Sequence, residues 1–241
     1  MIQEIIIEPE YAVFDSGTSD GTQIKFYTNS KWYKLDRYGG EGEAEFLASK
    51  IMELSGYPEE KFVSYRQMCI NGESGCVSED FLEDNESFIT VYRLYMNSTG
   101  RDLMTVTSRM DYDDAIEFVL SFIKDVTDLD FREYLADTFA LDSLILNEDR
   151  HFNNMGVIFD GEVFKTAPIF DNGKSLRVGR ESKEQIFAKA FSGDFRQNRK
   201  YLNEYATLKP DKESILDFLN ENRNKISSKA YNTLVERLKN Y

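Results

Sequence analysis

Histidine occurs once in the 241 residues, at His151, and cysteine only twice, at Cys69 and Cys76. Two thiols with no histidine near them in sequence cannot complete a structural zinc site. The stretch "CINGESGC" therefore reads as two reduced cysteines in a hairpin. Positive charge is the second scarcity: 29 Lys and Arg stand against 43 Asp and Glu, a formal net charge of −14. Nonspecific nucleic-acid binding and attraction to anionic membranes both draw on clustered Lys and Arg, so the balance argues against either partner. No apolar run approaches the ~20 residues that a membrane-spanning helix needs. The opening "MIQEIIIEPE" has no basic segment and no small-residue cleavage site, so it does not read as a signal peptide. A cytoplasmic location is the expectation, although export without a cleavable signal leaves no such mark. Neither a G-x-G-x-x-G nor a Walker A sequence is present, and no internal repeat stands out.

What is present is globular. Hydrophobic residues make up 41 % and aromatics 14 %, enough apolar surface for a substantial core, and the length suits one large domain or two small ones. The first hundred residues are strand-rich: "IQEIII", then "TQIKFY" and "KWYKLD" around an Asn29-Ser30 turn, then "SFITVYRLY". One helix interrupts them, with Ala44, Leu47, Ala48, Ile51 and Leu54 at helical spacing and Gly56 as its stop. Beyond residue 100 helices dominate. "YDDAIEFVLSFIKDV" places Ile116, Val119, Leu120 and Ile123 on one face, and a second helix is expected to start at Asp130, with Glu133 completing an Asp version of the capping box. A hairpin turning at Asp160-Gly161 follows, and helices return from about 182. The expected fold class is α+β: a sheet-rich lobe over 1–95 with one helix, and a mainly helical lobe over 96–241, with a cleft between them.

"LNEDRHFNNMG" concentrates polar groups directly after an apolar helix. Asp149 and Asn154 are five apart, and Asp171 in "IFDNG" follows once the hairpin returns. Phosphoryl transfer from ATP needs hard oxygen ligands for Mg²⁺ and a separate carboxylate near the acceptor hydroxyl. Asn154 and Asp171 can hold the metal, and Asp149 can orient the hydroxyl and take its proton. The catalytic loop of protein kinases uses the same Asp-to-Asn interval. Alone, such an Asp…Asn pair is more often a helix stop or an Asx-turn. Lys34, in a strand with Trp32 on the same face, is a point charge suited to phosphates, and an exposed strand lysine otherwise. Its partner would be a glutamate of the following helix; Glu41, Glu43 and Glu45 all flank the apolar stripe. Upstream, Gly17, Ser19 and Gly21 lie in a small polar loop that can close over phosphates with its backbone N–H groups, or form a plain Asp20-Gly21 hairpin. Glycine loop, strand lysine, helix glutamate, Asp-x4-Asn, hairpin and a second Asp come in the order that an ATP-clamping kinase needs.

"DSLILNEDRHFNNMGVI" followed by "APIFDNGKSL" resembles the catalytic core of the HipA-like kinases, and most of all their short forms, which lack the extra N-terminal subdomain. The Asp-Arg-His order is shared with that family and with phosphoinositide kinases. "EAEFLASKI" is similar to the family's Glu-bearing helix and favours Glu45. The resemblance covers roughly residues 12 to 205. It implies a two-lobe, protein-kinase-like serine/threonine kinase that uses ATP and Mg²⁺ on a protein substrate. Asp149 would be the catalytic base, Asn154 and Asp171 the metal ligands, and Lys34 the phosphate contact paired with Glu45. Backbone groups of Tyr92 and Leu94 would face adenine in an inter-lobe linker. His151 would support the catalytic loop or approach the γ-phosphate. The resemblance makes Ser16, Thr18, Ser19 and Thr22 the candidates for the loop serine that is autophosphorylated in longer family members. The "DNG" at 171–173 departs from Asp-Phe-Gly. A kinase of lipids or small molecules, a nucleotide-binding scaffold without chemistry, and a Mg²⁺ nuclease are the competing readings. The last would need a basic track that the chain does not show.

Overall fold

The computed structural model of the chain describes residues 2–14, 23–176, 191 and 195–241. In chain order its strands are β1 Gln3–Ile5, β2 Ala12–Val13, β3 Lys25–Thr28, β4 Lys31–Leu35, β5 Arg66–Ile70, β6 Glu73–Glu79, β7 Ser87–Thr90, β8 Gly156–Phe159 and β9 Phe164–Thr166. Its helices are α1 Glu41–Leu54, α2 Val91–Thr99, α3 Leu103–Thr107, α4 Tyr112–Thr127, α5 Arg132–Ile145, α6 Phe195–Leu202, α7 Lys212–Glu221 and α8 Ser228–Asn240. They form two compact units, each assembled from separate stretches: residues 1–81, 168–179 and 209–241 in the first, 82–167 and 180–208 in the second. The sequence reading divides the chain once, at 95/96. Residues 82–95 join the second unit, where β7 pairs with β8 in a small sheet of its own, β7-β8-β9.

The first unit is built on a six-stranded sheet of order β1-β5-β6-β4-β3-β2, antiparallel except for the edge pair β1–β5. The β3–β4 turn at Asn29-Ser30 has both residues at positive φ, and Asn71-Gly72 turns β5 into β6 in the same way, so Cys69 and Cys76 lie in one hairpin as free thiols. Strand alternation sorts the faces. Phe26, Tyr33, Leu35, Met68, Ile70 and Val77 form a buried cluster with Ile7. Lys25, Lys34 and Cys76, aligned in register across β3, β4 and β6, point the other way. There α1 packs with Ala44, Leu47, Ala48 and Ile51 buried as their spacing predicts.

Two glycines set how close α1 comes. A Cβ on Gly42 would lie 2.6 Å from the carbonyl of Gly75, and one on Gly75 would lie 2.2 Å from the carbonyl oxygen of Lys34. Helix backbone thus rests almost on strand backbone. The first turn of α1 is held from outside by Asp36, whose carboxylate accepts from Gly40 N (2.9 Å) and Gly42 N (2.7 Å), as a negative group at a helix N-terminus should.

In the second unit, Ile116, Val119, Leu120 and Ile123 of α4 are buried as expected, and α5 is buried over nearly its whole length. Two expectations are corrected. Helix α5 starts at Arg132, not Asp130: Phe131 is buried against Tyr134 at 4.4 Å, and the Asp130 carboxylate accepts from Arg132 N instead of closing a capping box. The "SFITVYRLY" strand ends at Thr90. The Thr90 hydroxyl accepts from Arg93 N and caps α2, whose buried Val91, Leu94 and Tyr95 fit helical spacing as well as they fit alternation.

The Gly42–Gly75 approach predicts that Gly42→Ala is destabilised by about 1–3 kcal/mol, because a methyl there must push helix and strand apart. Urea denaturation followed by circular dichroism checks it.

Candidate functional site

Each unit carries a group of the residues singled out in the sequence. In the first, Lys34 on β4 meets α1. Its Nζ lies 3.0 Å from Glu45 Oε1, donates to the Tyr65 hydroxyl at 3.2 Å, and lies 3.7 Å from Asp171 Oδ1. Burial opposes charge on this lysine, but Glu45, helped by Tyr65 and Asp171, outweighs it and holds the ammonium well above its ordinary pKa. Burial likewise pushes the Glu45 carboxyl up, against the pull of Lys34 and of Asn172 N–H. A cation at 3.0 Å and an amide on the other oxygen both favour the charged carboxylate.

The three candidate glutamates are separated by their partners. Glu41 Oε1 accepts from Tyr38 N at 2.9 Å, Glu43 accepts from the backbone and hydroxyl of Ser227 at the start of α8, and Glu45 takes Lys34. Glu45 also uses its second oxygen: Oε2 accepts from Asn172 N at 2.8 Å. One carboxylate therefore ties the strand lysine to the segment carrying Asp171. Asp171 itself has φ +61°, a conformation uncommon outside glycine, and its side chain keeps about a quarter of its surface exposed. Gly173 follows where a Cβ would lie 3.4 Å from that of Glu41.

In the second unit, the polar loop grows from the end of α5. Leu146 turns the chain at φ +57°, a strained position for a bulky residue. The Asp142 carbonyl accepts from both Leu146 N and Asn147 N. The Asp142 carboxylate, fully buried, receives Arg150 in two parallel bonds: Nε to Oδ2 at 3.0 Å and Nη2 to Oδ1 at 2.9 Å. Asn147 Nδ2 donates to the same carboxylate at 3.1 Å. Burial is the largest influence on Asp142 and raises its pKa despite Arg150. Arg150 Nη1 also donates to Asn154 O. Asn154 then closes the loop: its Oδ1 accepts from His151 N at 2.8 Å and its Nδ2 donates to Asp149 O at 3.1 Å. Asp149 and His151 are left half-buried at the surface of this frame. His151 Nδ1 accepts from Asn153 N, so in the neutral ring the proton sits on Nε2.

Two sets of expected positions fare differently. Gly17, Ser19 and Gly21, with Ser16, Thr18 and Thr22, lie outside the described residues. Tyr92 and Leu94, expected in a linker, lie in helical backbone. They are in α2, the Tyr92 amide donates to Phe152 O, and the Leu94 carbonyl accepts from the Ser98 hydroxyl. Sequence reasoning also passed over Asp142, Asn147, Arg150, Tyr65 and Asn172. The signal for the first was available: an aspartate inside a core helix needs a buried cation, and Arg150 is eight residues on. Tyr65 and Asn172 meet Lys34 and Glu45 only through the tertiary fold.

Among the described residues, no group of three His, Cys, Asp or Glu is placed to hold a metal ion, and no helix is long and apolar enough to cross a membrane.

Compared with solved structures, the chain matches the Helicobacter pylori proinflammatory kinase CtkA over 100 % of its own length and 93 % of that chain, with a TM-score of 0.71 at 16 % sequence identity. It also matches HipA from the Shewanella oneidensis MR-1 complex of HipA, HipB and operator DNA, over 98 % of this chain and 66 % of that one, at 9 % identity and a TM-score of 0.49. No family model matches the sequence, and no curated protein matches it. The fold of this chain is thus that of the kinase CtkA.

The Asp142–Arg150 pair predicts that Asp142→Ala, which leaves a guanidinium buried with no counter-charge, is destabilised by about 3–5 kcal/mol. The urea midpoint measures it; a loss below about 1 kcal/mol, the size of an exposed pair, would show that the pair does not organise the loop.

Proposed function

We propose that the protein is an ATP- and Mg²⁺-dependent kinase that transfers the γ-phosphate to a serine or threonine hydroxyl of a protein substrate. The observation that carries this reading is the buried Lys34–Glu45 ion pair beside Asp171, on a fold shared with a kinase. A positioned ammonium next to a partly exposed carboxylate is what phosphate binding requires. Asn154 and Asp171 are hard-oxygen donors by type, and Mg²⁺ characteristically takes only one or two carboxylates together with substrate phosphates. Asn154 and Asp171 would be its protein ligands, where it would neutralise phosphate charge. Lys34 would bind the phosphates, with Glu45 fixing it. Asp149, carried on a loop whose other polar groups bind one another, would orient the acceptor hydroxyl and take its proton. His151, held through its backbone and Nδ1, would support that loop.

The serine/threonine preference and the protein substrate follow from the likeness of residues 140–176 to the HipA-like kinases. An acceptor within 16–22 of the chain itself extends the reading to autophosphorylation. The acid-rich surface of the chain, at −14, favours a protein over an anionic lipid as acceptor.

Asp149→Ala is expected to lose phosphoryl transfer by about 10²–10⁴-fold while keeping the ATP-induced rise in melting temperature. Transfer from γ-labelled ATP to a generic protein acceptor, together with mass spectrometry of residues 16–22, measures it. Turnover equal to that of the wild type would overturn the role of Asp149, and labelling of lipid in place of protein would overturn the acceptor class.

A further inference from the structure

The kinase reading gives Lys34 to phosphate and Glu45 to Lys34, and leaves the second group on that ammonium without a role. Among the described residues Lys34 Nζ makes two hydrogen bonds, one to Glu45 Oε1 at 3.0 Å and one to the Tyr65 hydroxyl at 3.2 Å. An ammonium carries three N–H donors. Asp171 Oδ1, at 3.7 Å, lies beyond hydrogen-bond reach. One donor is therefore left over.

Tyr65 is held by the same helix that carries Glu45. It is 3 % exposed, and its backbone N–H donates to Ser49 Oγ at 3.2 Å. The Ser49 hydroxyl, equally buried, donates in turn to Phe46 O at 3.0 Å. Residues 45 and 49 are four apart and stand on one face of α1. That face fixes both partners of Lys34, the carboxylate directly and the phenol through Ser49. The two partners differ in charge. Glu45 already matches the ammonium, so a second carboxylate in the place of Tyr65 would make the group net negative and repel an anion. Burial first and Glu45 second push the Tyr65 phenol well above its ordinary pKa, so it accepts from Lys34 as a neutral group. It directs the ammonium without adding a charge that phosphate would have to overcome.

We propose that Tyr65 is a positioning residue for phosphate binding: by taking one N–H of Lys34 beside Glu45, it aims the remaining N–H at a phosphate oxygen of a bound nucleoside triphosphate. This rests on the nucleotide reading above and deepens it. Held by Glu45 alone, the ammonium could pivot about that one contact. Held by Glu45 and Tyr65 together it cannot, and its third donor has one direction. A donor fixed before the ligand arrives loses less freedom on binding than a mobile one. A tyrosine kept only to fill the core would behave differently. Phenylalanine keeps the ring and the backbone bond to Ser49, so it would replace such a residue without consequence for ligands.

The test titrates the wild type, Tyr65→Phe, Lys34→Met and the double variant with ATP and with adenosine, each with Mg²⁺, by calorimetry. Tyr65→Phe is expected to weaken ATP about 3- to 10-fold, the range of one lost hydrogen bond, and to leave adenosine affinity unchanged. In the Lys34→Met background it should add no further loss, because residues that act through one contact are not additive. Should Tyr65→Phe fail to fold, Ser49→Ala, which releases the Tyr65 backbone and leaves the phenol in place, is read in the same way. Unchanged ATP affinity would overturn the role of Tyr65 alone. So would an equal loss for ATP and adenosine, or a loss as large without Lys34 as with it, since either marks a residue that serves only the fold. A wild type that does not bind ATP would overturn the nucleotide reading, and this assignment with it.

Discussion

An ammonium and a carboxylate removed from water together are costly to bury and costlier to separate. The Lys34–Glu45 pair places that constraint at the heart of the first unit. For the two charges to meet at 3.0 Å, a helix must approach a sheet more closely than side chains normally permit, and the stacked glycines at 42 and 75 make that approach possible. The remaining oxygen of Glu45 must also be satisfied, which the Asn172 amide does. Position of helix, spacing of strand and path of the 171–173 segment are thus consequences of one ion pair.

The second unit solves a related problem with different residues. Asp142 lies inside a helix buried on all sides and is compensated by a two-pronged arginine and an asparagine. That explains why so polar a loop follows so apolar a helix. Most of its polar groups are addressed to one another: Asn147 and Arg150 to Asp142, Asn154 to His151 and Asp149. Asp149 and His151 lie half-buried at the surface of that frame.

Much of this was legible in the residues. The apolar spacings of α1 and α4, the turns at Asn29-Ser30 and Asp160-Gly161, and the succession of Lys34, Glu45, Asp149, Asn154 and Asp171 all come from local pattern or motif. The choice of Glu45 over Glu41 and Glu43 did not come from periodicity, since residues two apart on a helix differ by a rotation that the apolar stripe alone leaves unresolved; the motif likeness supplied it. Residues 91–95 read as strand in the sequence and are helix in the structure, because Val91, Leu94 and Tyr95 satisfy alternation and helical spacing about equally, and the deciding cap is a single hydroxyl. Tyr65 and Asn172 carry no local signature.

The alternate glutamates of α1 have a mechanical implication. Glu41 grips the preceding loop, Glu43 the start of α8, and Glu45 the sheet. Glu41 and Glu45, four residues apart, share one face of the helix, and Glu43 lies on the opposite side, so the helix is attached on two sides. Rolling α1 by a single residue would break all three attachments at once and separate Glu45 from Lys34.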